Sequence, residues 1–133
     1  MIEASRYIDL QFQDRGRGPR YDCYGLVLEV LRREYGITGL PDFSGSYRHT
    51  GDRDNIKACI ASEAANWNKV SIPKEGDVIV FNIGGWPQHV GICVGERQGQ
   101  PMFLHIHKGA NSTVEPLNSS IWKNRISGIY RYE

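Results

Sequence analysis

Arg20-Tyr21-Asp22-Cys23-Tyr24-Gly25-Leu26-Val27 is the stretch from which the fold can be read. A cap, a thiol and an apolar helical face follow one another there. Asp22 has the side chain of an N-cap. From Cys23 to about Tyr35, Leu26, Val27, Val30 and Leu31 recur on one helical face, while Glu29, Arg32 and Arg33 fill the other. Glu29 and Arg33 are four apart in the favourable order, and Gly36 stands where a helix stops. The spacing therefore predicts a helix that starts at a cysteine.

Working outward, Leu40-Pro41-Asp42 opens a polar loop to about Gly51. A weaker helix is expected over about 54–65, with Ile56, Ile60 and Ala64 on its inner stripe. After Pro73 the period changes to two. Val78-Ile79-Val80-Phe81 reads as a strand, Gly84-Gly85-Trp86-Pro87 as a loop, and His89 to Val94 as the returning strand. Further strands are expected over Met102–His107, Thr113–Leu117 and Ser127–Tyr132. Helices followed by strands indicate an α+β domain with a largely antiparallel sheet.

The 133 residues suffice for one domain, 1–133. A net charge of +1 provides no global field for nucleic acid or a membrane surface. No apolar run approaches the roughly 18 residues of a spanning helix, so membrane insertion is not expected. The first residues place Glu3 where a secretion signal needs a basic start and an apolar stretch, so none is expected. Cys23, Cys59 and Cys93 are too few and too scattered for a disulfide framework, and free thiols suit synthesis in the cytoplasm.

Cys23 is the reactive candidate. Unpaired N–H groups at a helix start favour a thiolate, the form that attacks. Cys59, inside a helix, and Cys93, between Ile92 and Val94, read as inert thiols. A nucleophilic thiol needs an imidazole, and the imidazole needs a partner to orient it. His89 opens a strand, and His105 and His107 share a face of the next one; either lies within cross-strand reach of about 5 Å. The same four residues, Cys23, His89, His105 and His107, also suggest a zinc site as a rival. A neighbouring thiolate and a polar partner would favour the imidazolium form of His89.

Four segments together resemble the NlpC-type cell-wall cysteine peptidases. Asp22-Cys23-Tyr24-Gly25-Leu26-Val27 is similar to their D-C-S-G-[LF]-V signature, and Gly76-Asp77-Val78-Ile79-Val80-Phe81 to their G-D strand. His89-Val90-Gly91-Ile92-Cys93-Val94-Gly95 is similar to H-V-G-I-Y-[IV]-G, and Phe103-Leu104-His105 to the segment with the third polar residue. The resemblance implies a papain-like α+β fold whose N-terminal helix carries the nucleophile. It implies Cys23 as nucleophile, His89 as base and His105 as orienting residue, with no cofactor. Asp22 and Tyr24, the latter replacing the usual serine, would lie near the substrate. That substrate would be the stem peptide of bacterial peptidoglycan, cut between γ-D-glutamyl and the following diamino acid. Tyr7 and Tyr21 are the candidates for the family's upstream tyrosine.

The Tyr35-Gly36 to Leu40-Pro41-Asp42 stretch and the ending Trp122 to Arg131 resemble the phage tail-associated branch. Phage tail proteins would then be partners, and a virion would carry the enzyme to the wall. A tail-assembly factor that keeps the fold without turnover is the alternative.

Overall fold

A computed structural model describes residues 2–133. Helix α1, Cys23–Tyr35, has the predicted bounds. The Asp22 carboxylate accepts the Gly25 N–H at 2.8 Å, and Gly36 closes the helix at φ 65° in the left-handed region. Leu26, Val27, Val30 and Leu31 are buried and pack with Val80, Val90, Ile92 and Leu104 of the sheet. Helix α2, Arg53–Ala64, buries only Ile56. Ile60 and Ala64 of the expected inner stripe stay half-exposed, so α2 lies loosely across the domain.

Six strands form one antiparallel sheet: β1 (Asn68–Val70), β2 (Val78–Ile83), β3 (Trp86–Arg97), β4 (Gln100–His105), β5 (Thr113–Pro116) and β6 (Ile126–Arg131). Their order is β1-β6-β2-β3-β4-β5. Together with the two helices this is the predicted α+β architecture. The short β1 leaves no mark in the sequence, because three residues carry no usable period.

The Gly84–Pro87 loop is also tighter than expected. Gly84 and Gly85 sit at φ 64° and 87°, the pair of positive angles that a two-residue hairpin turn requires. Trp86 and Pro87 are therefore already in β3, and His89 lies inside the strand, not at its opening.

Asp77 locks the start of β2. It is 1% exposed and accepts the Lys74 N–H at 2.7 Å and two guanidinium N–H groups of Arg131 at 2.9 and 2.7 Å. Asp77→Ala would leave the Arg131 guanidinium and the Lys74 amide without their carboxylate. A lower urea midpoint of unfolding is expected.

Candidate active site

Cys23 is the first residue of α1, placed where the chain doubles back on itself. A Cβ added at Gly25 would meet the Gly16 carbonyl oxygen at 2.0 Å, so only glycine allows the upstream segment to press on the helix start. The close approach expected at Gly25 is thus made by the chain itself.

Arg17 and Tyr47 complete this corner. The Arg17 guanidinium donates to Asp22 Oδ1 at 2.8 Å and to the Tyr47 hydroxyl at 2.8 Å, and Tyr47 donates to Asp22 Oδ2. Both carboxylate oxygens are occupied internally. The Asp22 carboxylate is engaged by the cap, Arg17 and Tyr47, while the residue lines the space beside Cys23. Tyr24 donates its hydroxyl to the Pro41 carbonyl at 2.7 Å and offers only its ring to the space beside Cys23.

The histidines lie on the other face of the sheet. His89 and His105 are 3% and 1% exposed, among Phe81, Phe103 and Trp122. Trp122 stacks on His89 with ring centroids 5.5 Å apart. In the β3–β4 register, Ile92 opposes Leu104, so His105 sits across from Gly91 and one diagonal step from His89. A Cβ at Gly91 would come within 3.3 Å of His105 Cβ. The missing side chain is the room through which His105 Nδ1 reaches His89 Nε2 at 2.9 Å.

His105, not His107, makes this contact. His107 lies beyond the end of β4, is exposed, and has its ring 6.2 Å from that of His89. Among the described residues, no three His, Cys, Asp or Glu side chains are arranged to hold a metal.

Cys23 and His89 line one cleft of roughly 490 Å³, together with Phe12, Thr50, Gln88 and His107. Neither tyrosine proposed for this neighbourhood is there. The Tyr7 hydroxyl is bonded to Glu34 and that of Tyr21 to Glu29; Phe12, without a hydroxyl, occupies the wall. A second hollow of roughly 830 Å³, counted to its open mouth, also starts at Cys23 and Gln88. It runs between α1, α2 and the sheet, walled by Leu31, Leu40, Phe43, Ile60 and Trp67.

The resting charge state differs from the expected one. Burial, then the Asp22 carboxylate, pushes the Cys23 thiol up to about 12, although backbone hydrogen bonds from Val90 and Tyr24 pull the other way. The cap that starts the helix thus opposes the thiolate that the helix start would favour. Burial, with His105 and His107 nearby, holds His89 well below the usual imidazole range. Burial lowers His105 too, against the raising effect of Glu115. The folded site favours thiol and neutral imidazole, where the sequence suggested an imidazolium.

This has a sign in stability. In the unfolded chain His89 and His105 take up protons near pH 6.5, and in the folded chain these two do so only lower. The stabilisation is complete above about pH 6.5 and is lost as pH falls towards the depressed folded values. The melting temperature should drop on acidification from pH 6.5. Replacing both His89 and His105 with glutamine should flatten that slope.

Comparison with known proteins follows the same lines. A model described as the NlpC/P60 family matches residues 11–131. The murein DD-endopeptidase MepS/murein LD-carboxypeptidase of Escherichia coli K12 is 25% identical over 113 residues, covering 83% of this chain and 48% of the relative. The chain thus spans about half the length of the curated relatives it matches. A Staphylococcus aureus protein described as similar to lipoprotein, NLP/P60 family, aligns with TM-score 0.58 at 20% identity. That alignment covers 96% of this chain and 38% of the other. Ly7917, solved with the hydrolyzing product of MDP, aligns with TM-score 0.54 at 17% identity over 84% of this chain and 53% of its own.

Proposed function

The chain belongs to the NlpC/P60 family, and from that membership we infer that it is a cysteine peptidase acting on the stem peptides of bacterial peptidoglycan. Cys23 is the nucleophile, His89 the base and His105 the residue that orients it. The observation that carries this reading is the 2.9 Å bond from His89 Nε2 to His105 Nδ1 beside a cleft that His89 shares with Cys23. It commits one imidazole nitrogen and leaves Nδ1 for proton exchange.

The reaction is acyl transfer. His89 Nδ1 takes the thiol proton as sulfur bonds to the scissile carbonyl carbon. The imidazolium returns that proton to the departing amine. Water, deprotonated by the same nitrogen, then cleaves the thioester and frees Cys23. The bond proposed is that between γ-D-glutamyl and the diamino acid, as the family resemblance suggests.

Digestion of purified peptidoglycan, with fragments identified by mass spectrometry, tests this reading. New amino termini at that bond support it. Intact wall of several chemotypes after digestion points instead to a tail-assembly factor that keeps the fold without turnover. Carriage on a phage tail is supported by the Tyr35–Asp42 and Trp122–Arg131 resemblances; absence from purified particles would remove it.

The apolar hollow beside Cys23 favours a second reading, in which the acyl donor carries an apolar group and an amine or alcohol outcompetes water. A new amide or ester among the products, in place of a free acid, would select it.

A further inference from the structure

Behind His105 stands a residue with no place in the three-residue reading. His105 Nε2 lies 2.5 Å from Glu115 Oε2. Glu115 comes from β5, where Thr113 opposes His105 and Glu115 opposes Phe103. It is therefore the diagonal neighbour of His105 on the same face, within reach of a long side chain. Its side chain is 30% exposed, while that of His105 is wholly covered. The carboxylate enters the relay from the solvent side, and with it both nitrogens of His105 have partners.

We propose that Glu115 is a positioning residue that sets the proton order of the whole relay, Glu115–His105–His89–Cys23. It rests on the reading of Cys23 and His89 as nucleophile and base. The argument is one of donors and acceptors. A carboxylate offers acceptors only, so the proton of neutral His105 lies on Nε2 and Nδ1 is bare. A bare His105 Nδ1 must receive a hydrogen bond, so His89 carries its proton on Nε2. His89 Nδ1 is then bare in turn and able to take a proton from the thiol. Without Glu115, His105 is free to hold its proton on Nδ1. The bond to His89 then reverses, and His89 keeps its proton on Nδ1, where it cannot act as a base.

Trp122 and Phe103 help to make this order persist. They pack against His105 at 4.8 and 4.5 Å between ring centroids, so a ring flip that exchanged its nitrogens would have to displace them. The residues facing His105 are thus His89, His107, Glu115 and these two aromatic rings.

The substitutions Glu115→Ala, Glu115→Asp and Glu115→Gln separate orientation from bulk structure. Alanine removes the acceptor, and aspartate keeps the charge but is one methylene too short. Glutamine can accept through its oxygen or donate through its nitrogen, so it permits both orders. Imidazole nitrogen NMR of the wild type should show His89 and His105 each protonated on Nε2. Glu115→Ala and Glu115→Asp should show mixed tautomers and lower kcat on the order of 10- to 100-fold, with KM within about twofold. Glu115→Gln should fall between them and the wild type.

The tautomer measurement needs no substrate, so it decides the proposal even if the peptidase reading fails. Wild-type rings protonated on Nδ1, or a folded Glu115→Ala protein with unmixed tautomers, would overturn it. Should the alanine variant not fold, the glutamine variant carries the same comparison: tautomers identical to wild type would again overturn it.

Discussion

Cys23→Ala should lower kcat by on the order of 10⁴-fold or more while the protein melts at nearly the wild-type temperature. The thiol is half-buried at the first turn of α1, and the cap it follows is made by Asp22, Arg17 and Tyr47 rather than by its own side chain. Removing sulfur leaves that cap intact and takes away the one thiol that shares a cleft with His89. The other two cysteines serve as controls. Cys93 is buried in β3 and directs its thiol to the Gly95 carbonyl, and Cys59 lies in α2 against the apolar hollow. Alanine at either should leave most turnover in place. Comparable kcat for wild type and Cys23→Ala would remove covalent catalysis from consideration and leave His89 as a base acting on water.

The sequence and the structure diverge at identifiable places. Helix α1 was legible to the residue because the cap, the apolar stripe and the stop glycine all agree on the same bounds. Strands β2 and β3 are legible from their alternation, but the two-glycine turn reads as a four-residue loop, since positive φ leaves no trace beyond the glycines themselves. The pairing of His89 with His105 could not be read from spacing. It depends on the empty Cβ position of Gly91 and on the chain leaving β4 before His107. Glu115 falls in an expected strand, but nothing in composition marks it, because its place beside His105 follows from register. The bonds of Asp22 are hidden from the sequence for a different reason. Arg17, Tyr47 and Asp22 converge only in three dimensions, and one acidic residue before a cysteine gives no sign that its carboxylate is already satisfied.

The charge state of the pair yields the second large effect. With the Cys23 thiol pushed up by burial and by Asp22, free thiolate is scarce at pH 7. Attack must therefore be coupled to proton transfer into His89, a base that burial keeps neutral. His89→Ala should cost on the order of 10⁴-fold in kcat at pH 7, and added imidazole should restore part of it. The pH dependence should change form as well. In the wild type, lowering the pH protonates the base and activity falls, but the depressed His89 moves that limb below pH 6.5. The alkaline limb lies towards the thiol's value, so activity between pH 7 and 9 should be nearly flat. In His89→Ala the hydroxide ion must take the thiol proton instead. Activity should then rise about tenfold per pH unit across that range. Alkylation of Cys23 by iodoacetamide, followed from pH 5 to 10 in both proteins, reads the same difference without a substrate. A wild-type profile with an ordinary thiol inflection near pH 8.5 would mean that Cys23 ionises independently of His89, and the coupled mechanism would have to be given up.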